Sequence, residues 1–276
     1  MENPFRKSPL NYVGGKYRLL PQLKTLFPTK IGKFVDMFCG GLNVSMNVEA
    51  NEYIANDNST PTIKLYKYFQ ENQQDAILQA IDAIIEEYGI SKVNMEGYLK
   101  LRKDYNEHRD SPRLMVLISN AFNHQLRFNS KGEFNMPFGR ERSHFNKSMK
   151  NNLIGLVSFI QKNNIQFVNK DFREIEINGD EFIYCDPPYQ NSTAVYNTGW
   201  TQKEDNDLLE LLDKASHKGC KFALSCVLIH NGIHNIVIED WAQKYHIHKM
   251  KWLYSNASYH KKDRSEGLEV CITNYK

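Results

Sequence analysis

FIYCDPPYQN, residues 182–191, runs from four strand-forming residues straight into an acid, two prolines and an aromatic ring. Phe182, Ile183, Tyr184 and Cys185 suit a buried strand. Proline cannot donate to a strand ladder, so the strand must stop at about Asp186. An Asp before Pro-Pro is barred from helical backbone and held in an extended corner. That corner presents the Asp186 carboxylate beside the carbonyl of Pro187, two acceptors side by side. Two acceptors suit one nitrogen carrying two N–H donors, and Tyr189 adds a flat face on which a planar ring can stack. The combination describes a pocket for the exocyclic amine of a nucleobase. The plainer reading is an Asp-Pro turn with a packed tyrosine.

Working outward, strands and helices alternate on both sides. KYRLLPQLKTLF has helical spacing, with Pro21 expected to kink or end its first turns. KFVDMF (33–38) is a short apolar strand that meets Gly40-Gly41, after which LNVSMNVEA is expected to resume as helix. YIANDN (53–58) is a second strand. After residue 164 come strands at 165–171, 182–186, 221–225, near 246–254 and at 268–273, with helices at 203–216 and 232–242. The pattern predicts an α/β fold with a mostly parallel sheet. Between them, residues 60–164 read as an insertion of several helices, and RFNSKGEFNMPFG (127–139) reads as a β-hairpin broken at Ser130-Lys131-Gly132. YSNASYHKKDRSEG (254–267) reads as a long polar hairpin tip, either a solvated loop or a DNA contact.

In open α/β sheets ligands sit beyond the carboxyl ends of the strands. Asp36, Asp57 and Asp186 fall there, and Asp171 follows the strand at 165–169. Asp57 could accept hydrogen bonds from ribose hydroxyls or simply cap a helix. Asp36 stays open between a cap and a contact to a cationic ligand group. Gly40-Gly41 permit close backbone approach, but Leu42 breaks a GxGxxG pattern. The GGK at 14–16 lacks the other parts of a P-loop, which argues against a phosphate-cradling NTPase.

Composition narrows the classes further. The chain has 276 residues, 41% hydrophobic and 12% aromatic, enough for one large domain or a domain with an insertion. It contains no 18-residue apolar run, and MENPFRKSPL lacks the apolar core of a signal peptide, so a cytosolic protein without membrane contact is expected. The five cysteines are widely spaced without a CxxC, so free thiols are expected and neither a disulfide frame nor a metal site. Net charge is +3, yet residues 92–150 hold twelve Lys/Arg against six Asp/Glu. The insertion is basic and the remainder is not.

On NYVGGKYRLL, FVDMFCGGLNVS, YIANDN, RFNSKGEFNMPFGR and DPPY, the chain resembles the Dam family of DNA adenine-N6 methyltransferases, with phage-encoded members most similar. The similarity runs over about residues 9–274. It implies a Rossmann-like S-adenosylmethionine-dependent sheet formed by 1–59 and 165–276. Residues 60–164 would form a target-recognition domain of helices plus a β-hairpin. It implies cofactor contacts at Tyr12, Lys16, Asp36, Phe38, Gly40, Asp57, Asp171, Phe172 and Asp186. Phe172 reads equally as a core residue. The catalytic residues would be Asp186, Pro187, Pro188 and Tyr189, transferring methyl directly from sulfonium to a flipped adenine, with no metal.

Phe122 would stand beside the flipped base, Asn123 near the vacated strand, Arg127 on guanine, Pro137 on a thymine methyl and Arg140 on DNA. Gln125 replaces the apolar residue many relatives carry. Gln125 could still contact the adenine paired with the site's thymine, so GATC in double-stranded DNA is the expected target, with a relaxed or altered third base as the alternative. A bacterial or phage-infected cytoplasm, a link to restriction-modification and a monomer in solution are implied with it. Rival readings are a methyltransferase of RNA or protein amides, a catalytically silent sequence-specific DNA-binding protein, and an RNA-binding protein. The acid at 186 and the basic insertion favour DNA over the first. The filled catalytic positions count against the second. The deep, narrow major groove of duplex RNA counts against the third.

Overall fold

A computed structural model describes residues 4–12, 14–189, 200–230, 232–251 and 267–276. In chain order the early elements are α1 (Leu20–Leu26), β1 (Lys33–Asp36), β2 (Glu52–Asn56) and α2 (Thr60–Glu71). There follow α3 (Gln74–Glu87), α4 (Met95–His108), α5 (Ser111–Asn120), α6 (Lys147–Lys162) and β3 (Asn164–Val168). The last are β4 (Glu181–Cys185), α7 (Gln202–His217), β5 (Lys221–His230), β6 (Ile233–His234), α8 (Ile236–Ala242), β7 (His246–Lys249) and β8 (Leu268–Thr273). The chain divides into two compact units: residues 1–15, 40–47 and 59–169, and residues 16–39, 48–58 and 170–276. The first unit is thus the expected insertion joined by the N-terminal segment, the glycine loop and β3.

The second unit is a sheet ordered β2-β1-β4-β5-β8-β7. β2, β1, β4 and β5 run parallel, while β8 pairs antiparallel with both β5 and β7. Every residue of β4 is buried, as is most of β1, so these central strands read as near-continuous apolar runs. β1 connects onward to β2 on one side and has β4 on the other, which makes the carboxyl ends of β1 and β4 a topological switch point. Register sets Asp36 opposite both Ala55 and Tyr184, so Asp57 and Asp186 lie two residues further along the same edge. The mixed α/β architecture with a mostly parallel sheet agrees with the sequence reading.

In the first unit α5 is the hub against which α2, α3 and α4 pack. All seven residues from Leu114 to Asn120 are buried, so the helix is wrapped on every side. α4, α5 and α6 begin at side-chain caps from Asn94, Asp110 and Asn146.

Three local expectations change. LNVSMNVEA holds only a 3-10 turn at Ser45–Asn47. Gly40 and Leu42 adopt positive φ (43° and 59°), which breaks helical continuity there. Pro21 lies in the first turn of α1, where a missing N–H costs no helical bond. The 127–139 arm is held by isolated antiparallel bridges, Phe128↔Phe134 and Ala121↔Phe138, rather than by two regular strands. Pro137 cannot extend a ladder, and Phe122–His124 coils into a short turn opposite it. The proposed hairpin tip at 254–267 lies, apart from Gly267, outside the described residues.

Candidate active site

The β4 strand delivers Asp186 to the switch point, and α1's leading 3-10 turn delivers Lys16 to it. Lys16 Nζ lies 2.7 Å from Asp186 Oδ1 and 3.5 Å from Glu269 Oε1 on β8. It also donates to the Tyr189 hydroxyl at 2.7 Å, and that hydroxyl donates to Asp186 Oδ1 at 2.8 Å. Lys16 is 3% exposed and Glu269 6%, while the Asp186 side chain keeps 20% of its surface exposed, so the cation and one acid are buried and the other acid faces the opening of the site. Burial first, and the adjacent Asp186 carboxylate next, push the Tyr189 phenol well above its ordinary range, so it remains a neutral O–H donor. Asp186 therefore already accepts from a nitrogen, that of Lys16. Pro187 is buried and Pro188 half-buried beside it.

Along the same edge, Asp36 is 2% exposed and Asp57 half-buried. The loops carrying the neighbouring residues are tied by Asn56, itself 1% exposed. Its Nδ2 donates to the Met37 carbonyl at 3.1 Å, its carbonyl accepts from Cys39 N–H at 2.8 Å, and its Oδ1 accepts from Lys170 N–H at 3.1 Å. Phe38 projects from one of these loops and Phe172 from the other, their ring centroids 5.6 Å apart, and Trp200 packs on both at 5.5 Å. Phe172 is 4% exposed. Asp171 caps its turn through Arg173 N–H and pairs with the Arg173 guanidinium at 2.9 Å. Glu269, Asn56 and Trp200 escaped the sequence reading. Glu269 had left one signal, a lone acid in the otherwise apolar strand LEVCIT.

In the first unit, Tyr12 donates to or accepts from Thr62 Oγ1 at 2.6 Å. Its ring covers Gly40, whose carbonyl accepts from the Tyr66 hydroxyl. A Cβ at Gly41 would stand 2.8 Å from the Leu10 carbonyl, so only glycine fits there.

The basic arm belongs to the same unit. Phe122 (40% exposed), Asn123, Pro137 and Arg140 are on its surface, and Gln125 and Arg127 are half-buried. Asn123 sits at positive φ (55°), fixed by Asn11 Nδ2 on its carbonyl at 2.9 Å. Pro137 accepts from Phe122 N–H at 2.9 Å, Gln125 bridges to Asn11, and Arg140 lies 3.8 Å from Glu141. Among the described residues no group of three or more His, Cys, Asp or Glu is placed to hold a metal, and no helix is long and apolar enough to cross a membrane.

Comparison with known proteins matches residues 12–256 to the family model for D12 class N6 adenine-specific DNA methyltransferases. The chain is 42% identical to the type II methyltransferase M.FokI of Planomicrobium okeanokoites, over 99% of this chain and 43% of that protein. It is 41% identical to the modification methylase StsI of Streptococcus sanguinis, over 98% of this chain and 43% of that protein. A DNA adenine methylase of Escherichia coli K12 is 27% identical over 88% of this chain and 86% of its own length. The chain thus spans less than half the length of the first two relatives. With a family model covering most of its length and an acid corner at the switch point of a parallel sheet, the chain belongs to the D12 class of N6 adenine-specific DNA methyltransferases.

Proposed function

We propose that this chain transfers a methyl group from S-adenosylmethionine to N6 of an adenine flipped out of double-stranded DNA. The observation that carries this reading is the Asp186 carboxylate at the β1/β4 switch point, at the head of the Pro187-Pro188-Tyr189 corner. Adenine N6 is a weak nucleophile because its lone pair is delocalised into the ring. Hydrogen bonds from its two N–H groups to Asp186 and to the Pro187 carbonyl favour a more tetrahedral nitrogen; the N–CH3 bond forms as the S–CH3 bond breaks, one N6 proton then leaves to solvent, and the rate gain comes from positioning and electrostatics. No Cys or Ser nucleophile is required. The Tyr189 ring offers a face for the flipped base.

The residues present suit the cofactor, which when bound supplies an electrophilic methyl on sulfonium sulfur. Asp57 offers a carboxylate for ribose hydroxyls, and Phe38 with Phe172 offers rings for adenine. Tyr12, Lys16, Asp36, Gly40 and Asp171 complete the proposed set. No residue in this scheme needs a metal. We assign 60–164 to target recognition and 1–59 with 165–276 to catalysis. The acting form is a monomer in the cytoplasm of a bacterial or phage-infected cell.

The proposed target is GATC, with Arg127 on guanine, Pro137 on the thymine methyl, and Phe122, Asn123, Gln125 and Arg140 as further DNA contacts. A different short adenine site is the second reading, favoured by the higher identity to modification methylases than to the DNA adenine methylase. The test is methylation of a plasmid library by the purified protein, read by single-molecule sequencing. N6-methyladenine confined to GATC is expected. Methylation at another motif would support the second reading. No methylated base, with DNA binding intact, would overturn the enzyme reading.

A further inference from the structure

Among the described residues, the Arg127 side chain is held by Asn135 alone. Its Nε donates to Asn135 Oδ1 at 2.9 Å and its Nη2 to the Asn135 carbonyl at 3.2 Å, while Asn135 N–H returns to the Arg127 carbonyl at 3.2 Å. A guanidinium has five N–H donors arranged as two bidentate edges, one formed by Nε with Nη2 and one by Nη1 with Nη2. Asn135 takes the first edge. Because the group is planar, fixing one edge fixes the plane and direction of the other.

Asn135 is itself anchored on both sides to α4. Phe134 N–H donates to Asn106 Oδ1 at 2.8 Å and its carbonyl accepts from Asn106 Nδ2 at 3.2 Å. The Met136 carbonyl accepts from the Tyr98 hydroxyl at 2.9 Å and from Arg102 Nη1 at 3.2 Å. Phe134 and Met136 are 1% and 3% exposed, and the Phe134 ring packs edge-on to Tyr105 and Phe128. Rigidity therefore passes from α4 through two buried residues to Asn135 and on to the guanidinium of Arg127.

We propose that Asn135 is a specificity-determining positioning residue. It holds Arg127 side-on, so that the Nη1/Nη2 edge is presented, pre-oriented, for the O6 and N7 acceptors of one guanine. This rests on Arg127 being the guanine reader. Orientation, not charge, is the contribution of Asn135. Losing it should cost base discrimination more than general DNA affinity, which phosphate contacts dominate.

The test is enrichment of a randomised duplex pool by the full chain and its variants, followed by sequencing of the bound fraction. Wild type should enrich guanine at one position of its site. Arg127→Ala should erase that position's preference. Asn135→Leu should reduce the same preference on the order of tenfold while leaving the other positions intact. Asn135→Asp keeps an acceptor for Nε and should retain the preference. A variant that had failed to fold would lose every position together, which Asn135→Asp and the intact positions distinguish. If Arg127→Ala erases the guanine preference and Asn135→Leu keeps it, the clamp is wrong. If Arg127→Ala leaves every guanine position unchanged, or wild type enriches no guanine, Arg127 is not the reader and the inference falls with that assignment.

Discussion

Lys16 and Arg173 each centre an ion-pair network in the same unit, yet the two networks differ in what they can do. Lys16 reaches Asp186 and Glu269 with its side chain 2% exposed. Arg173 reaches Asp171, Glu204 and Asp207 with its side chain 33% exposed. Arg173 pairs with three carboxylates, but water screens these pairs, and exposed pairs are worth little. Lys16 and Glu269 are buried and the Asp186 side chain is only 20% exposed, so these charges depend on one another far more, and removing Lys16 leaves Glu269 buried and uncompensated. The number of contacts is a poor guide to their importance, and burial at the switch point is a better one.

Five perturbations sharpen or break that contrast. Asp186→Asn should lower the methylation rate at least on the order of a hundredfold with DNA binding retained, in a single-turnover assay. A small effect would remove Asp186 from the chemistry. Lys16→Met should destabilise the fold by about 3–5 kcal/mol in urea denaturation, because Asp186 and Glu269 lose their shared cation. A loss under about 1 kcal/mol would place the cluster with the exposed ones.

Glu181 offers a third case, a carboxylate at the buried start of β4. Burial opposes its ionisation, but the backbone N–H groups of Gly179 and Asn178 and the Cys220 thiol prevail and hold its pKa down to about 2. A depressed acid contributes stability that is fully present above its unfolded pKa. That contribution is lost as pH falls through the folded value. Unfolding free energy should therefore drop by about 3 kcal/mol as pH falls from roughly 4.5 to 2, and Glu181→Gln should flatten this component of the profile. Tyr98→Phe removes a buried hydroxyl from the Met136 carbonyl and should cost about 1–2 kcal/mol. Arg173→Ala should cost less than about 1 kcal/mol in the same assay.

Local chemistry made some of this molecule legible before its coordinates. The proline pair ended β4 at Cys185, and the strand expected at 268–273 appeared as β8 over the same residues. α7 came out one residue longer at each end than its helical period suggested, and at the N-terminal end Thr201 and Glu204 close a capping box that fixes its start. The LNVSMNVEA segment failed where composition looked helical but two successive turns needed positive φ. Its buried side chains follow the neighbouring fold rather than their own propensity.

The site divides in the same way. Sequence alone determined that acids would gather at the carboxyl edge of a parallel sheet and that an Asp-Pro-Pro-Tyr corner would close its central strand, since proline chemistry and strand periodicity act over a few residues. Only the tertiary structure decided which groups those acids meet. Lys16, Asp186 and Glu269 are joined across most of the chain, as are Phe38, Phe172 and Trp200, and Asn135 meets Arg127 because α4 holds both neighbours of Asn135. Such pairings depend on which strands lie side by side and on which charges are taken out of water together. These are properties of the packed chain, and no local pattern encodes them.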